Sequence, residues 1–493
     1  MRLKGTRPQM SGQLELPLEY RGEAPNGQRS EEVPTAARVT ERSGKCELME
    51  MAVRRSNLQA ALKRVKSNKG SPGIDGMTVD ELSAHLREHW EETREQLLAG
   101  TYQPQMVKRQ LIPKSGGGMR ELGIPTVLDR FIQQAILQVL QSELDGGFSR
   151  HSYGFRPGKS AHQAVCEAQK YVQEGYRWVV DVDLEKFFDR VNHDVLMGKL
   201  AKRIGDRRVL MIIRRYLEAG VMAQGGVVIE RYEGTPQGGP LSPLLANVLL
   251  DEVDKELEKR GHRFVRYADD CNVYMQSRRS GERVMRLLRK LFTGLKLRVN
   301  ESKSAIDLAQ RRKILGYSFW VATGRVVKRR VSKKAIQAMK DRVRETTKRN
   351  RGRSIGQVVA ELRSYLPGWK EYYRLADTPG TFSELDEWIR HRLRALHLKH
   401  WKRGTTIYRE LRTRGMSARS AAQVAANGRR WWHNSAMAIN VALPISYFDH
   451  LQLPRKGRSP SVPEDFCTLC VSWLVCLKLS TTNSQYLCRG VKY

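Results

Sequence analysis

Short β-rich runs alternate with helical stretches between about residues 105 and 320. The apolar run that begins at Trp178 predicts one strand, and two further apolar runs on either side of Ala268 predict a β-hairpin. Stretches with apolar residues at helical spacing lie between these runs. The alternation indicates a domain of the α+β class.

The N-terminal third of the chain contains clear helix boundaries. Apolar spacing predicts a basic helix over residues 53–69, which the turn Gly70-Ser71-Pro72-Gly73 ends. Thr78 is expected to cap the following acidic helix, with Glu81 three positions later completing a capping box. Residues 1–50 show no sustained periodicity, so we expect a poorly ordered extension there.

Two segments place carboxylates at the ends of apolar strands. Asp181 and Asp183 follow the Val-rich start of the first strand and share one face of it, because strand side chains alternate. Asp269 and Asp270 lie at the tip of the predicted hairpin. Ordinary turn chemistry could explain Asp269 and Asp270 alone. Carboxylates at both strand ends would repel one another unless cations lie between them.

A pair of divalent cations resolves this repulsion. Carboxylate oxygens are ligands that Mg²⁺ prefers, and two ions about 3.5–4 Å apart can bind the attacking and leaving oxygens of an in-line displacement. The expected chemistry is phosphoryl or nucleotidyl transfer.

Two loops add candidate substrate contacts. The segment from Thr235 to Pro243 is rich in Gly and Pro and leads into an apolar helix, which suits close approach to a nucleotide or template base. Lys114 and Arg120 lie on two sides of a Gly-rich turn between short strands, where they could bind a triphosphate. Taken alone, the first segment could equally be a plain helix-entry loop. The second is weak evidence alone, because solvated hairpin tips often carry Lys and Arg.

The overall charge points to a polyanionic partner. The 493 residues include 87 Lys and Arg against 52 Asp and Glu, a formal net charge of +35. No apolar run approaches the length of a membrane span, and we expect neither a secretory signal nor membrane association. Seven scattered cysteines suit a reducing cytoplasm. A basic membrane-surface protein would share the charge, but its placement favours nucleic acid.

Several motifs together resemble one known family. The motifs Asp183-Leu184-Glu185-Lys186-Phe187-Phe188-Asp189, Thr235-Pro236-Gln237-Gly238-Gly239-Pro240-Leu241-Ser242-Pro243 and Tyr267-Ala268-Asp269-Asp270 are similar to catalytic motifs of reverse transcriptases. The segments Ser152–Ala161 and Gly70–Gly76 narrow the resemblance to group II intron-encoded reverse transcriptase/maturases, and residues 404–454 resemble the C-terminal region of bacterial members that lack the HNH endonuclease. Tyr365–Tyr373 and Asp386–Arg394 resemble their maturase domain X. The resemblance covers about residues 55–454.

The resemblance implies a right-hand polymerase of the α+β class with an α-helical thumb formed by domain X. We therefore expect fingers and palm over residues 51–320, a thumb over 321–403 and a nucleic-acid-binding region over 404–454. A disordered extension would precede them over residues 1–50, and an unassigned tail would follow over 455–493. The single Cys467-Thr468-Leu469-Cys470 pair is weak evidence for zinc, and we expect no endonuclease.

The resemblance also implies roles for individual residues. It assigns metal-binding and catalytic roles to Asp183 and Asp269, and to Asp270 as the neighbour of Asp269 in the same motif. It assigns no role to Asp181. Nucleotide-binding roles pass to Lys114, Arg120, Phe188 and Gln237, and Leu315-Gly316-Tyr317 is similar to the segment that steadies the primer end. The implied cofactors and substrates are two Mg²⁺ ions and dNTPs.

Phe188 matches the position of an aromatic steric gate, five residues after Asp183. A flat ring below the sugar leaves no room for a 2′-hydroxyl, so deoxynucleotides would be preferred. The alternative is that Phe187 or Phe188, or both, belong to the core.

The implied partners are group II intron RNA and the DNA target or primer. Thirteen Lys and Arg lie between Arg325 and Arg353 against two acidic residues, which favours RNA contact over a merely solvated helix face. Trp369, Tyr372 and Tyr373 could stack on bases or pack in a core.

The expected function is RNA-directed DNA polymerisation together with assistance to intron splicing and mobility. The alternatives are a splicing-only maturase with a silent polymerase and a reverse transcriptase outside introns, of the retron or repair type. The oligomeric state is not predicted.

Overall fold

The computed structural model describes residues 47–113, 118–223, 227–436 and 439–453. The extension before residue 47, Lys114 and the C-terminal Cys467–Cys470 pair lie outside these residues. The chain divides into two compact units. Of the described residues, the first contains those up to Leu111 with Glu121–Gly146 and Phe188–Val248, and the second contains those of Ile112–Arg120, Gly147–Phe187 and the chain from Leu249 to Leu453.

The strands of the described residues are short. In chain order they are β1 (Val107–Pro113), β2 (Met119–Ile124), β3 (Trp178–Val182), β4 (Val221–Met222), β5 (Val228–Ile229), β6 (Arg263–Tyr267), β7 (Asp270–Met275), β8 (Ala305–Leu308), β9 (Tyr317–Val321) and β10 (Val327–Val331).

Helices surround these strands and dominate the C-terminal part. They are α1 (Leu48–Ala52), α2 (Arg55–Asn68), α3 (Leu82–Ala99), α4 (Val127–Leu144), α5 (Ala161–Gln173), α6 (His193–Ala201), α7 (Arg207–Glu218), α8 (Ser242–Lys259) and α9 (Arg278–Gly294). The C-terminal helices are α10 (Lys333–Thr346), α11 (Ile355–Tyr372), α12 (Pro379–Trp401), α13 (Gly404–Thr413), α14 (Ala418–Ala426), α15 (Trp431–Ala436), α16 (Ile439–Ala442) and α17 (Ile445–His450).

The first unit packs helices around α4. The predicted basic helix is α2, which ends at Asn68 before the Gly70–Gly73 turn. The reciprocal bonds of the predicted capping box are present, since the Thr78 amide donates to the Glu81 carboxylate and the Glu81 amide to the Thr78 hydroxyl. The prediction that Thr78 caps the helix is wrong, because α3 begins at Leu82 and Glu81 is its N-cap residue. A small sheet in the order β2-β1-β4-β5 completes this unit, with β1 and β4 parallel.

The second unit is built on an antiparallel sheet in the order β6-β7-β3-β8. The helices α5 and α9 pack on this sheet. Gly281 of α9 lies so close to it that a Cβ there would come within 2.8 Å of the Ile306 side chain. This small residue lets the helix approach the strands that carry the candidate carboxylates.

The β9–β10 hairpin connects the sheet region to the C-terminal helices. Residues Val327 to Val331 pair antiparallel with Val321 to Tyr317. Buried residues from α5, β9, β10 and the helices α10 to α14 form one apolar cluster, so this core is continuous within the second unit. Among the described residues, the helices are too short or too polar to cross a membrane.

Candidate active site

The strand register brings the two predicted carboxylate segments side by side. Val182, the last residue of β3, pairs with Cys271 of β7. Asp183 directly follows this last pair on one strand, and Asp270 directly precedes it on the other. The loop before β8 holds the Asp183 backbone, since its amide is 3.1 Å from Ser304 Oγ and its carbonyl accepts from the Asn300 amide at 2.8 Å.

The hairpin tip presents Asp269 and Asp270 together. Tyr267 pairs with Asp270, which leaves Ala268 and Asp269 as a two-residue turn. Ala268 has a φ of 57°, a left-handed conformation that favours glycine. Both aspartates are half-buried. The tip is therefore a strained turn that carries two adjacent carboxylates.

A buried arginine supports this turn from below. Arg266 is 2% exposed, and its guanidinium donates to the Ala268 carbonyl at 2.9 Å and to Ser152 Oγ at 2.8 Å. Asp254 of α8, fully buried, accepts from the same guanidinium at 2.6–2.9 Å. Burial raises the pKa of Asp254, and the Arg266 guanidinium opposes that rise.

Gly154 closes the other side of the turn. A Cβ built on Gly154 would collide with the Ala268 amide, so only glycine allows this approach. Ser152 lies beside Arg266 in a parallel bridge, and the Tyr153 amide donates to the Arg266 carbonyl. Contacts from three directions thus maintain the positive φ of Ala268.

Cationic side chains balance the carboxylates. Lys303 Nζ lies 3.3 Å from Asp183 Oδ2, an atom that is buried and makes no hydrogen bond with the described residues. Arg312 contacts Asp181 Oδ2 at 2.6 Å. Burial raises the pKa of Asp181, whereas Arg312 acts to lower it. Arg312 therefore already neutralises the Asp181 carboxylate, whereas Asp183 Oδ2 accepts no hydrogen bond from the described residues.

The donor chemistry of this site fits a divalent cation. The available ligands are hard carboxylate oxygens. The buried Asp183 Oδ2 accepts no hydrogen bond from the described residues, so a bound cation would supply the partner that this oxygen lacks. Within the part of the chain that is described, no three His, Cys, Asp or Glu side chains are already clustered closely enough to surround a metal ion.

The Gly/Pro-rich loop lies in the first unit as a rigid entry to α8. Thr235 is buried and donates a 2.7 Å backbone hydrogen bond to the Phe188 carbonyl, while its hydroxyl donates to Ser242 at the start of α8. Gln237 Nε2 contacts Asp189 Oδ1 at 3.1 Å. The loop therefore joins two of the predicted nucleotide-binding residues, Phe188 and Gln237, within one unit.

Arg120 lies on β2, the second strand of the predicted Gly-turn hairpin, and is half-buried. Its predicted partner Lys114 lies outside the described residues. The hairpin itself is present, since β1 and β2 are neighbours in one sheet.

Comparisons with known proteins now bear on this arrangement. The reverse transcriptase (RNA-dependent DNA polymerase) family model matches residues 112–319, and the group II intron maturase-specific domain model matches residues 336–415. Together they cover more than half of the chain, in the order that the motifs indicate. The chain is thus similar to group II intron-encoded reverse transcriptase/maturases, which the relatives below include.

Individual relatives agree with these domain matches. The chain is 38% identical to protein YkfC of Escherichia coli (strain K12) over 209 residues, 41% of this chain and 55% of YkfC. It is 33% identical to the group II intron-encoded protein LtrA of Lactococcus lactis subsp. cremoris over 256 residues, 52% of this chain and 40% of LtrA. It therefore spans about half the length, or less, of these curated relatives.

Among solved structures, a chain of a partial Cas6-RT-Cas1–Cas2 complex is 28% identical, with a TM-score of 0.33. That match covers 50% of this chain and 43% of the other.

The maturase domain buries the aromatic residues that the sequence offered for base stacking. Trp369, Tyr372 and Tyr373 are 2%, 9% and 8% exposed. Their rings pack against one another, with Tyr317 of β9 beside both tyrosines. The packing alternative is correct for all three, and no ring face is open to a nucleobase.

Cationic side chains of the maturase domain lie over another aromatic ring, which is only half-buried. Lys340, Arg344 and Arg392 lie 5.4–5.7 Å from the ring of half-buried Trp388. We call these four residues the Trp388 cluster. Burial lowers the pKa of Arg392, and the nearby Arg344 and Arg349 lower it further. Crowded cations beside a partly open ring are the surroundings that a phosphate and a base would complement.

Sequence reasoning overlooked the support beneath the hairpin turn. Arg266 lies within an apolar run, and a charged residue at such a position indicates a buried partner. Asp254 lies among other charged residues of α8, so the sequence contains no signal that it is the partner, twelve positions away.

Proposed function

We propose that this chain is an RNA-directed DNA polymerase that also binds its group II intron RNA, and so assists splicing and mobility. The observation that carries the proposal is the β3–β7 register within the reverse transcriptase match, whose last pair, Val182 and Cys271, is immediately adjacent in sequence to Asp183 and Asp270. Its substrates are dNTPs and its cofactors are two Mg²⁺ ions. It acts in the cytoplasm, where we expect its RNA.

Asp183, Asp269 and Asp270 are the residues that would hold the metal ions. When bound, such ions supply Lewis-acid stabilisation of the attacking and leaving oxygens in nucleotidyl transfer. Arg266 and Gly154 hold the Ala268–Asp269 turn, and with it Asp270, in place. Arg312 neutralises Asp181 and so limits repulsion within the carboxylate group.

Nucleotide binding is assigned to residues of the loops. Arg120, together with Lys114, grips the triphosphate, and Gln237 lies beside the incoming nucleotide. The supporting geometry is the rigid Thr235–Ser242 connection at the start of α8 and the contact from Gln237 to Asp189. Phe188 excludes ribonucleotides.

RNA binding is assigned to the maturase domain and the region that follows it. The Trp388 cluster supports this assignment, as do Arg349 and Lys399, which lie 4.8 and 4.6 Å from the ring of Trp431. A protein that holds structured intron RNA stabilises its splicing-competent fold while the RNA supplies the chemistry. The DNA target and primer are the second partner.

RNA-templated primer extension with Mg²⁺ tests the polymerase directly. We expect Asp269→Ala to lower the extension rate by about a thousandfold or more, because the metal coordination that this carboxylate supplies contributes several kcal/mol. Asp307→Asn on β8 of the same sheet is the matched control, since Asp307 contacts Arg311 and its own strand rather than the turn.

Two results would contradict the polymerase proposal. One is extension by Asp269→Ala at the parent's rate. The other is a parent chain that binds intron RNA and promotes splicing but extends no primer, which would favour the splicing-only maturase.

A further inference from the structure

The turn that ends the reverse transcriptase match is strained. Ile314 and Tyr317 exchange two backbone hydrogen bonds of 2.8 and 3.0 Å, which encloses Leu315 and Gly316 as a two-residue turn. Both enclosed residues have positive φ, 49° and 82°. Leucine rarely adopts such a φ, so the surrounding contacts must hold this conformation.

Those contacts come from the maturase domain. The Tyr372 hydroxyl at the end of α11 donates to the Leu315 carbonyl at 2.9 Å, across 57 positions of the chain. The neighbouring Tyr373 ring lies against Gly316, where any added Cβ would overlap its hydroxyl. The two tyrosines therefore bind both residues of the strained turn.

Tyr372 is itself fixed by its backbone carbonyl. That carbonyl accepts from the Tyr317 hydroxyl, and His162 Nε2 of α5 lies 2.7 Å from it. The following segment is also attached, because the Asp377 carboxylate accepts from the Arg329 amide of β10 at 2.8 Å. The end of α11 is thus joined to the turn, to the helix α5 and to the hairpin that follows.

A packing role alone does not account for the Tyr372 hydroxyl. A phenylalanine would fill the same buried space without a polar atom, and a buried hydroxyl is costly unless it is bonded. Its bond goes to the one non-glycine residue of the turn that has a strained φ. The hydroxyl is suited to hold the turn rather than to fill a core.

We propose that Tyr372 is a positioning residue for the primer end, acting through the Leu315–Gly316 turn. The proposal rests on the proposed polymerase function and on the similarity of Leu315-Gly316-Tyr317 to the segment that steadies the primer end. It makes primer binding depend on the maturase domain, because the turn belongs to one family match and Tyr372 to the other. RNA contacts that displace the end of α11 would change primer affinity.

The test uses the full chain and compares Tyr372→Phe with Tyr365→Phe. Tyr365 lies on the same helix, burial raises its pKa to about 12, and its hydroxyl makes no hydrogen bond with the described residues. Primer-template affinity is measured by fluorescence anisotropy without dNTPs. Primer extension then gives kcat, KM for the primer-template and KM for dNTP, and a thermal melt monitors folding.

Removing one buried hydrogen bond should weaken the primer-template affinity of Tyr372→Phe by about two- to tenfold. We expect KM for the primer-template to rise by the same factor, with kcat and KM for dNTP unchanged. Tyr365→Phe should match the parent in every measurement.

Three outcomes would overturn the inference: unchanged primer affinity in Tyr372→Phe, an equal loss in both variants, or a lower melting temperature with kcat and both KM values altered together. A parent that extends no primer refutes the proposed function instead, and the anisotropy comparison still decides the role of Tyr372.

Discussion

Phe187 and Phe188 are adjacent but have different surroundings. Phe187 is 3% exposed and belongs to the core, whereas Phe188 is half-buried. One ring of the pair therefore packs inside, and the other keeps a surface that a nucleotide could meet. The Phe188 backbone is fixed independently of its ring, because its carbonyl accepts from the Thr235 amide.

Phe188→Ala should relax the choice of sugar. Removing the ring opens space for a 2′-hydroxyl, so the ratio of ribonucleotide to deoxynucleotide kcat/KM should rise by about 10- to 100-fold. Single-nucleotide primer extension measures this ratio. Phe188→Tyr retains the flat ring and should exclude ribonucleotides as the parent does. Equal exclusion by the alanine variant and the parent would reject the steric-gate role.

At the scale of helices and strands, a buried ion pair between Asp254 and Arg266 joins α8 to β6. Arg266 donates to Asp254, and the same guanidinium reaches the carbonyl of Ala268 in the carboxylate turn. A buried charge without its partner is strongly destabilising. The pair therefore couples the packing of α8 to the conformation of the turn.

Asp254→Ala should lower the free energy of unfolding by about 3–5 kcal/mol, because it leaves the Arg266 guanidinium buried and unpaired. Chemical denaturation followed by circular dichroism measures the change. Glu256→Ala is the control on the same helix; its exposed ion pair with Arg260 contributes at most about 1 kcal/mol. Losses of similar size in the two variants would show that the buried pair contributes little.

Across the full chain, the excess of positive charge sets how nucleic acid is bound. The formal charge of +35 predicts RNA affinity that falls steeply with salt, since each neutralised phosphate releases counterions. The maturase domain concentrates cations that lack acidic partners: Arg349 and Arg392 form no ion pair with the described residues, although Arg392 donates to Thr347.

Replacing Arg349 and Arg392 together by Gln should weaken intron RNA binding and flatten its salt dependence. The slope of log K against log salt should fall in magnitude by about 0.7 to 0.9 for each phosphate that the protein no longer neutralises. Filter binding over a range of KCl concentrations measures both effects. Arg289→Gln, which removes a cation paired with Glu301, should leave the slope unchanged. A slope unaltered by the double substitution would remove Arg349 and Arg392 from the RNA-binding surface.

Local pattern was sufficient to predict many elements of the fold. The reciprocal Thr78–Glu81 hydrogen bonds, the strand at Trp178–Val182 and the hairpin around Ala268–Asp269 are all present. Each arises from interactions between residues a few positions apart, so period and turn chemistry reveal it. The motif order also predicted both domain matches, the reverse transcriptase and the maturase-specific domain.

Long-range packing decided what local pattern left open. It buried Trp369, Tyr372 and Tyr373, separated the roles of Phe187 and Phe188, and paired Asp254 with Arg266. A side chain's burial and partner depend on segments far away in the chain, and these leave no periodic trace around the residue itself. The amino-acid pattern therefore identifies the chemical groups, and the packed fold selects which of them meet.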